Sequence, residues 1–223
     1  MCDEQILAEL ESQYYENVAS PVHIVLEERF LASKNQNVLK SRFTADLREL
    51  NKCIADVSFP LPNMEEFRRE ITQEGFKIFS NLDASQFFYQ FRLDPDSARK
   101  NFGVLALGRV YMFLRLAMGY KNSPSIAQSI ISKCLRCHKR AKAFLDDLTT
   151  YSKSVDEHLH QDLPKLLAIC SHYNILLKPS KADLFRSSLR ILGNQISEEA
   201  LTLSNDKILK LKDLSFPVDP GCK

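Results

Sequence analysis

The run AFLDDLTTYS, residues 143–152, restricts the fold more than any other stretch of the chain. Asp146 and Asp147 stand side by side between Phe144–Leu145 and Leu148. Adjacent like charges resist burial, whereas the apolar arms around them require it. A hairpin reconciles the two, with the arms in a sheet and the acids at the bend, where Asp is a favoured residue. The doublet is then either an ordinary turn or part of a cation site. The choice depends on whether another carboxylate joins it.

Asp83 is the candidate. KIFSNLDA, residues 77–84, reads as a buried strand ending in a carboxylate, with the helix-like ASQFFY directly after it. A carboxylate at a strand's end can hold a metal while neighbouring helix N-terminal amides receive phosphate. If this strand pairs with the hairpin, Asp83 and Asp146 lie across from each other at the end of the sheet. Mg²⁺ takes oxygen ligands, typically one or two carboxylates plus substrate phosphates. Two such ions about 4 Å apart clamp the attacking and leaving oxygens of a phosphoryl transfer.

The rest of the chain alternates short strands and helices. Ile6, Leu7, Leu10 and Tyr14 give residues 3–17 a helical spacing, and VHIVL after Ser20-Pro21 reads as a strand. Residues 29–41 show no period and read as a polar loop. SFPLP is an extended connector before a helix at 63–74, and 102–116 is a hairpin turning at Gly108-Arg109. Asn122 to Arg136 is a helix with Pro124 in its first turn. Ser154 and Glu157 form a capping box for a helix running toward Tyr173, which Pro164 should kink or delay. RILGNQIS and LTLS are short strands, and a last helix begins over Asp206–Leu214. The sum is an α+β fold, an antiparallel sheet with helices on one face.

With 44% hydrophobic residues in 223, the chain can bury a core, and its apolar runs are too short to span a bilayer. The acidic start MCDEQILAEL carries no apolar signal segment, so an intracellular protein without a membrane partner is expected. Its six cysteines are scattered, and reduced thiols are the default. Cys134-Leu-Arg-Cys137-His138 matches a haem-attachment pattern and reads as a coincidence on a basic helix end. KCLRCHKRAK, residues 133–142, has no acid; it is a solvated helix face or a track for a phosphate backbone.

Read in order, the segments resemble the reverse transcriptase domain of gypsy-type LTR retrotransposons and, more distantly, of retroviruses, from about Ser20 to Pro217. SPVHIV resembles S-P-V-V-x-V, RFTADLRELNK resembles R-x-x-x-D-x-R-x-L-N-K, and FSNLDASQFFYQFRLDPDS is similar to the first catalytic segment. RLAMGYKNSPSIAQ resembles R-M-P-F-G-L-x-N-S-P-x-x-F-Q, and FLDDL stands where the family has Y-x-D-D. SVDEHLHQDL, LLKPSKADLF and ILGNQIS follow at the family's spacing.

The resemblance implies a right-hand polymerase of fingers and palm with the thumb mostly absent. Residues 1–82 and 95–118 would interleave fingers and palm, 83–94 and 119–200 would be mainly palm, and 201–223 would start the thumb. It implies two Mg²⁺ (or Mn²⁺) ions on Asp83, Asp146 and Asp147, with Lys181 protonating the leaving pyrophosphate. Arg42 and the backbone from Ala84 and Ser85 to Phe88 would hold a dNTP triphosphate. Phe88 would wall the sugar's 2′ side, and Gly119 would let backbone approach the nucleotide. The implied partners are an RNA or DNA template with its primer and the rest of a pol polyprotein, RNase H and integrase. The implied compartment is the cytoplasm, in a virus-like particle for an intact element, or the nucleus.

Several positions depart from the family. LEERFLASKNQNVLKS is longer than the usual basic turn by roughly nine residues, so the second triphosphate cation is either missing or displaced to Lys34 or Lys40. Phe144 replaces Tyr, Ala117 and Met118 replace Pro-Phe, and Phe87 replaces Gly. A decayed or domesticated remnant that binds nucleic acid without catalysis is the alternative reading.

Overall fold

A computed structural model describes residues 7–9, 20–31, 36–96, 102–106, 109–191, 194–197 and 201–203. In chain order the strands are β1 (Leu7–Glu9), β2 (Ser20–Leu31), β3 (Gln36–Ala45), β4 (Ile78–Asp83), β5 (Gly103–Ala106) and β6 (Arg109–Phe113). They continue as β7 (Ala141–Phe144), β8 (Asp147–Ser152), β9 (Asp183–Arg186), β10 (Ser188–Ile191), β11 (Asn194–Ser197) and β12 (Leu201–Leu203). The longer helices are α1 (Arg48–Cys53), α2 (Met64–Glu74), α3 (Ser123–Cys134) and α4 (Leu163–His172). The chain divides into two units, Met1–Pro60 with Gln86–Ile130 and Leu61–Ser85 with Ile131–Lys223.

The first unit is built on a five-stranded sheet in the order β1-β6-β5-β2-β3. Leu7–Glu9 is a strand opposite Tyr111–Phe113, not part of a helix: pairing along a sheet edge overrides the helical spacing of its side chains. Residues 29–41 are not a loop either. β2 runs to Leu31, β3 begins at Gln36, and the two pair without a break from Val22↔Ala45 to Leu31↔Gln36. Such a ladder is held by backbone hydrogen bonds and needs no continuous apolar pattern. β5 and β6 form the expected hairpin, with Arg109 already in the strand and residues 107–108 outside the described set. Ala45, Leu47, Phe102, Val104, Phe113 and Ala117 form the core, where Phe102 and Tyr120 meet edge to face at 4.9 Å. Buried Asn122 ties in the proline-marked connector, accepting from Val57 N and donating to Ala55 O.

The second unit carries a four-stranded sheet in the order β7-β8-β4-β9 and the antiparallel ribbon β10-β11-β12. α2 starts where Asn63 Oδ1 accepts from the Glu65 and Glu66 amides, and ends at Gly75, whose φ of 69° lets its amide close onto Ile71 O. Its Phe67 and Ile71 share one stripe and pack with Phe76, Phe79, Phe144, Tyr151 and Leu189. The opposite face of the sheet receives the segment after Ser154. The kink expected at Pro164 takes the form of a π turn over His158–Asp162, followed by α4. Helical segments thus meet the sheet at Phe79 and Tyr151 through α2 and at Ser80 and Ser152 through the segment after Ser154. Ser154 caps the Glu157 amide, but the Glu157 carboxylate answers to Lys153 N and Arg140, so the capping box is only half formed. The helix expected over residues 206–214 lies outside the described residues.

His158 and Asp162 organise a buried network that the sequence did not announce. Ser152 Oγ donates to Asp162 Oδ2 at 2.6 Å, so His158 Nδ1–H must donate to Ser152 Oγ. His158 Nε2 is left to accept from Ser80 Oγ at 2.7 Å, and Ser80 Oγ in turn accepts from Phe185 N. Burial pushes the His158 pKa down, which suits this neutral tautomer. His138, the last residue of the haem-like pattern, is also a core residue: its Nε2–H donates to Asp162 O at 2.9 Å.

Candidate active site

Antiparallel pairing of β4 with β8 sets Asp83 directly opposite Asp147, and pairing of β7 with β8 sets Phe144 opposite Asp147. Leu145 and Asp146 form the two-residue bend between β7 and β8. Leu145 has a φ of 58°, a left-handed conformation unusual for a branched side chain, which a hairpin this tight imposes at its first central position. Ala84 N donates to Asp146 O at 2.7 Å, fastening the bend to the end of β4. The sheet register therefore gathers Asp83, Asp146 and Asp147 at one end. Asp146 is exposed and Asp83 and Asp147 are partly buried.

Lys181 completes the group. The segment after α4 is strapped along the strand end: Ser85 N donates to Leu176 O, Ala84 bridges Leu177, and Lys178 N donates to Asp83 O at 2.8 Å. A short 3₁₀ turn, Pro179–Lys181, then carries the Lys181 ammonium to 2.7 Å from Asp83 Oδ2. That hydrogen bond, with the negative charges of Asp83, Asp146 and Asp147, raises the Lys181 pKa.

Asp147 is the most constrained of the acids. Burial pushes its carboxyl pKa up, and the charges of Asp146 and Asp83 push the same way. A hydrogen bond from Asn81 and the Lys181 charge oppose this. The donor set is all oxygen, the like charges crowd one another, and a protein cation already stands against Asp83. The group therefore suits a hard divalent cation. Among the described residues, no three His, Cys, Asp or Glu side chains form a ready-made cation cage. Of the three acids, Asp83 is the one that holds the Lys181 ammonium directly.

Asp147→Asn follows as a test of this electrostatic cost. A carboxyl whose pKa rises on folding adds stability below its unfolded pKa and loses it as pH rises. Ionised Asp147 therefore destabilises the fold at neutral pH. The isosteric amide should raise the melting temperature in EDTA at pH 7 by roughly 1–3 °C. The gain should vanish near about pH 3, below the ordinary Asp value. A variant that melts lower at pH 7 would contradict the assignment.

The other sequence-derived candidates are distributed over both units. Ala84 and Ser85 lie beside the acids, but their amides already donate, to Asp146 O and Leu176 O, and are not available to a phosphate. Arg42, Phe88 and Gly119 belong to the first unit. Arg42 sits on β3 opposite Val25, and Lys40 lies opposite Glu27; Lys34 is outside the described residues. Phe88 is half-buried in the 3₁₀ turn Phe87–Gln90, where the buried Phe87 ring meets Phe91 edge to face at 5.2 Å. Gly119 has a φ of 86°, and a Cβ there would meet Ala45 O at an ordinary 3.8 Å. Conformation, not space, requires glycine at this position.

Sequence reasoning missed Asn81 and Thr149. Asn81 Nδ2 donates to Asp147 Oδ1 at 2.8 Å, and Thr149 Oγ1 donates to Asn81 Oδ1 at 3.0 Å. The available signal was parity: residues two before Asp83 and two after Asp147 share the acids' face once the strands pair.

The family described as Reverse transcriptase (RNA-dependent DNA polymerase) matches residues 33–196. The retrovirus-related Pol polyprotein from transposon 412 of Drosophila melanogaster is 27% identical over 190 residues, covering 84% of this chain and 15% of that protein. The enzymatic polyprotein of Cauliflower mosaic virus (strain Strasbourg) is 29% identical over 160 residues, 71% of this chain and 23% of that protein. The chain thus spans less than a quarter of either relative. The foamy viral protease-reverse transcriptase dRH, solved in complex with ds DNA, superposes with a TM-score of 0.76 at 20% identity, over 95% of this chain and 34% of that one. At that identity the likeness is one of fold.

Proposed function

Since the chain belongs to the reverse transcriptase family, we propose that it is the RNA-directed DNA polymerase core of a retroelement polyprotein, joining a dNTP to a primer 3′-hydroxyl. The observation that carries this reading is the register of β4 on β8, which sets Asp83 against Asp147 with the Asp146 bend fastened alongside. Asp83 and Asp146 would hold Mg²⁺ or Mn²⁺, with Asp147 in support. When bound, two such ions neutralise charge on the phosphoryl oxygens and align the attacking and leaving groups.

The chain's own groups have distinct tasks in this reading. Lys181, its ammonium already among the acids, would pass a proton to the leaving pyrophosphate. With the Ala84 and Ser85 amides committed within the sheet, phosphate contacts from this stretch would fall to Gln86–Phe88. Arg42 would fork onto the triphosphate, and the Phe88 ring would exclude a ribose 2′-hydroxyl. Gly119, held in its left-handed turn by Asn51, which donates to Gly119 O and accepts from Lys121 N, would present backbone to the nucleotide. Residues 1–82 and 95–118 would interleave fingers and palm, and 83–94 and 119–200 would be mainly palm. Template and primer would be bound through backbone charge and A-form shape. RNase H and integrase would be the accompanying parts of a polyprotein.

Primer extension on oligo(dT)/poly(rA) tests the proposal. The chain should incorporate dTTP only when Mg²⁺ or Mn²⁺ is added. No incorporation under either metal by protein that melts cooperatively would overturn it and favour the non-catalytic remnant.

A further inference from the structure

We propose that Asn81 is a positioning residue that fixes Asp147 as a one-oxygen ligand, and that Thr149 braces the Asn81 amide that does so. The inference rests on the polymerase reading above and adds to it two residues with no assigned role. Asn81 and Thr149 are directly opposed in the β4–β8 ladder, two pairs inward from Asp83 and Asp147 and so on the same face. Thr149 is fully buried and Asn81 nearly so. An ionised Asp147 carboxylate only accepts, so the Asn81 amide turns Nδ2 toward it, at 2.8 Å, and the Thr149 hydroxyl donates to the Asn81 Oδ1 left facing it. A reversed amide would set oxygen against oxygen at Asp147.

This relay has two consequences. Asp147 Oδ1 is committed to Asn81, and Oδ2 takes no hydrogen bond among the described residues, so a cation would meet one oxygen of Asp147 only. The same bond fixes the carboxylate's rotation, so Asp147 is not free to swing toward Lys181 and neutralise it. The Lys181 charge stays with Asp83, at 2.7 Å. Outer-shell donors of this kind orient the ligands they touch, and their loss typically costs about 10- to 100-fold in metal affinity or activity.

Asn81→Leu and Thr149→Val separate positioning from folding. Thr149→Val keeps the shape and removes only the hydroxyl that braces the amide, so it reports even if Asn81→Leu fails to fold. Two readouts are needed: dTTP incorporation, and binding of Mn²⁺ alone, followed by the free-ion EPR signal without substrate. Asn81→Leu should lower kcat about tenfold, change the dTTP KM by less than about twofold, and weaken Mn²⁺ binding. Thr149→Val should move both readouts the same way by a smaller factor. In an Asp147→Asn background, neither substitution should lower kcat further. Full additivity with Asp147→Asn, or unchanged Mn²⁺ binding in both variants, would overturn the proposal while leaving the polymerase reading intact. A wild-type chain that binds Mn²⁺ but incorporates nothing would defeat the polymerase reading, and the Mn²⁺ measurement would still decide the role of Asn81.

Discussion

Asp146→Asn is expected to lower dTTP incorporation by at least about a thousandfold, an effect of several kcal/mol on the barrier, with no detectable change in melting temperature. The separation of the two effects comes from how Asp146 is held. Its backbone carbonyl, not its carboxylate, receives the Ala84 amide, so the clamp between the bend and β4 survives the substitution. Its side chain is exposed, so replacing an oxygen by a nitrogen opens no cavity and buries no new group. Only a negative charge at the end of the sheet is lost. Asp83→Asn should be as damaging to incorporation, but it also breaks the ion pair with Lys181, so its effect on melting is less cleanly separated. The measurement is single-turnover extension of a primed poly(rA) template with Mg²⁺ and with Mn²⁺, beside a thermal melt of the same preparation. Residual incorporation above about a tenth of wild type would show that Asp146 does not hold the charge that matters.

The sequence made the site legible where one local rule decides the outcome. Two acids inside an apolar run leave little choice but a bend. A strand closing on Asp83 then needs only a partner for the acids to meet. Register is what the letters could not supply. The pairing of Asp83 with Asp147, and the Asn81–Thr149 contact behind it, depend on which strand lies beside which. The same gap explains the misread stretches of the first unit's sheet. Leu7–Glu9 has helical spacing and becomes a strand because β6 offers it an edge. Residues 29–41 lack a period, yet continue a two-stranded ladder whose strength lies in its backbone. At Ala84 and Ser85 the sequence suggested amides available to phosphate, because nothing local reveals that the segment after α4 folds back and takes the Ser85 proton through Leu176 O. Pro164 was read correctly as a disturbance, but its form, a π turn that brings His158 and Asp162 to Ser80, Ser152 and Arg140, depends on polar partners from distant strands.

Phe144→Ala is the complementary prediction, a large loss of stability from a residue next to the acidic bend. Phe144 is fully buried, its ring 5.6 Å from Phe67, which in turn lies 5.1 Å from Tyr151. Tyr151 is anchored beyond the cluster by its hydroxyl, which donates to Glu70 at 2.7 Å, and Glu70 pairs with Lys142 on β7. The ring is thus one face of an aromatic stack linking α2 to the strand that leads into the acids. This accounts for the change from Tyr to Phe at this position: the ring is what the core uses, and a hydroxyl in so buried a place would need a partner of its own. Truncation to Ala should cost about 3–5 kcal/mol, or roughly 6–20 °C in melting temperature for a chain of this size. Phe144→Leu should recover much of that by refilling the cavity. At a temperature where the Ala variant is still folded, incorporation should fall far less than in Asp146→Asn, because the acids keep their charge and their register against β4. A variant that melts like wild type would place the Phe144 ring outside the core. One that melts low but loses incorporation as completely as Asp146→Asn would mean that the aromatic stack, and not the β4–β8 pairing, holds the carboxylates in place.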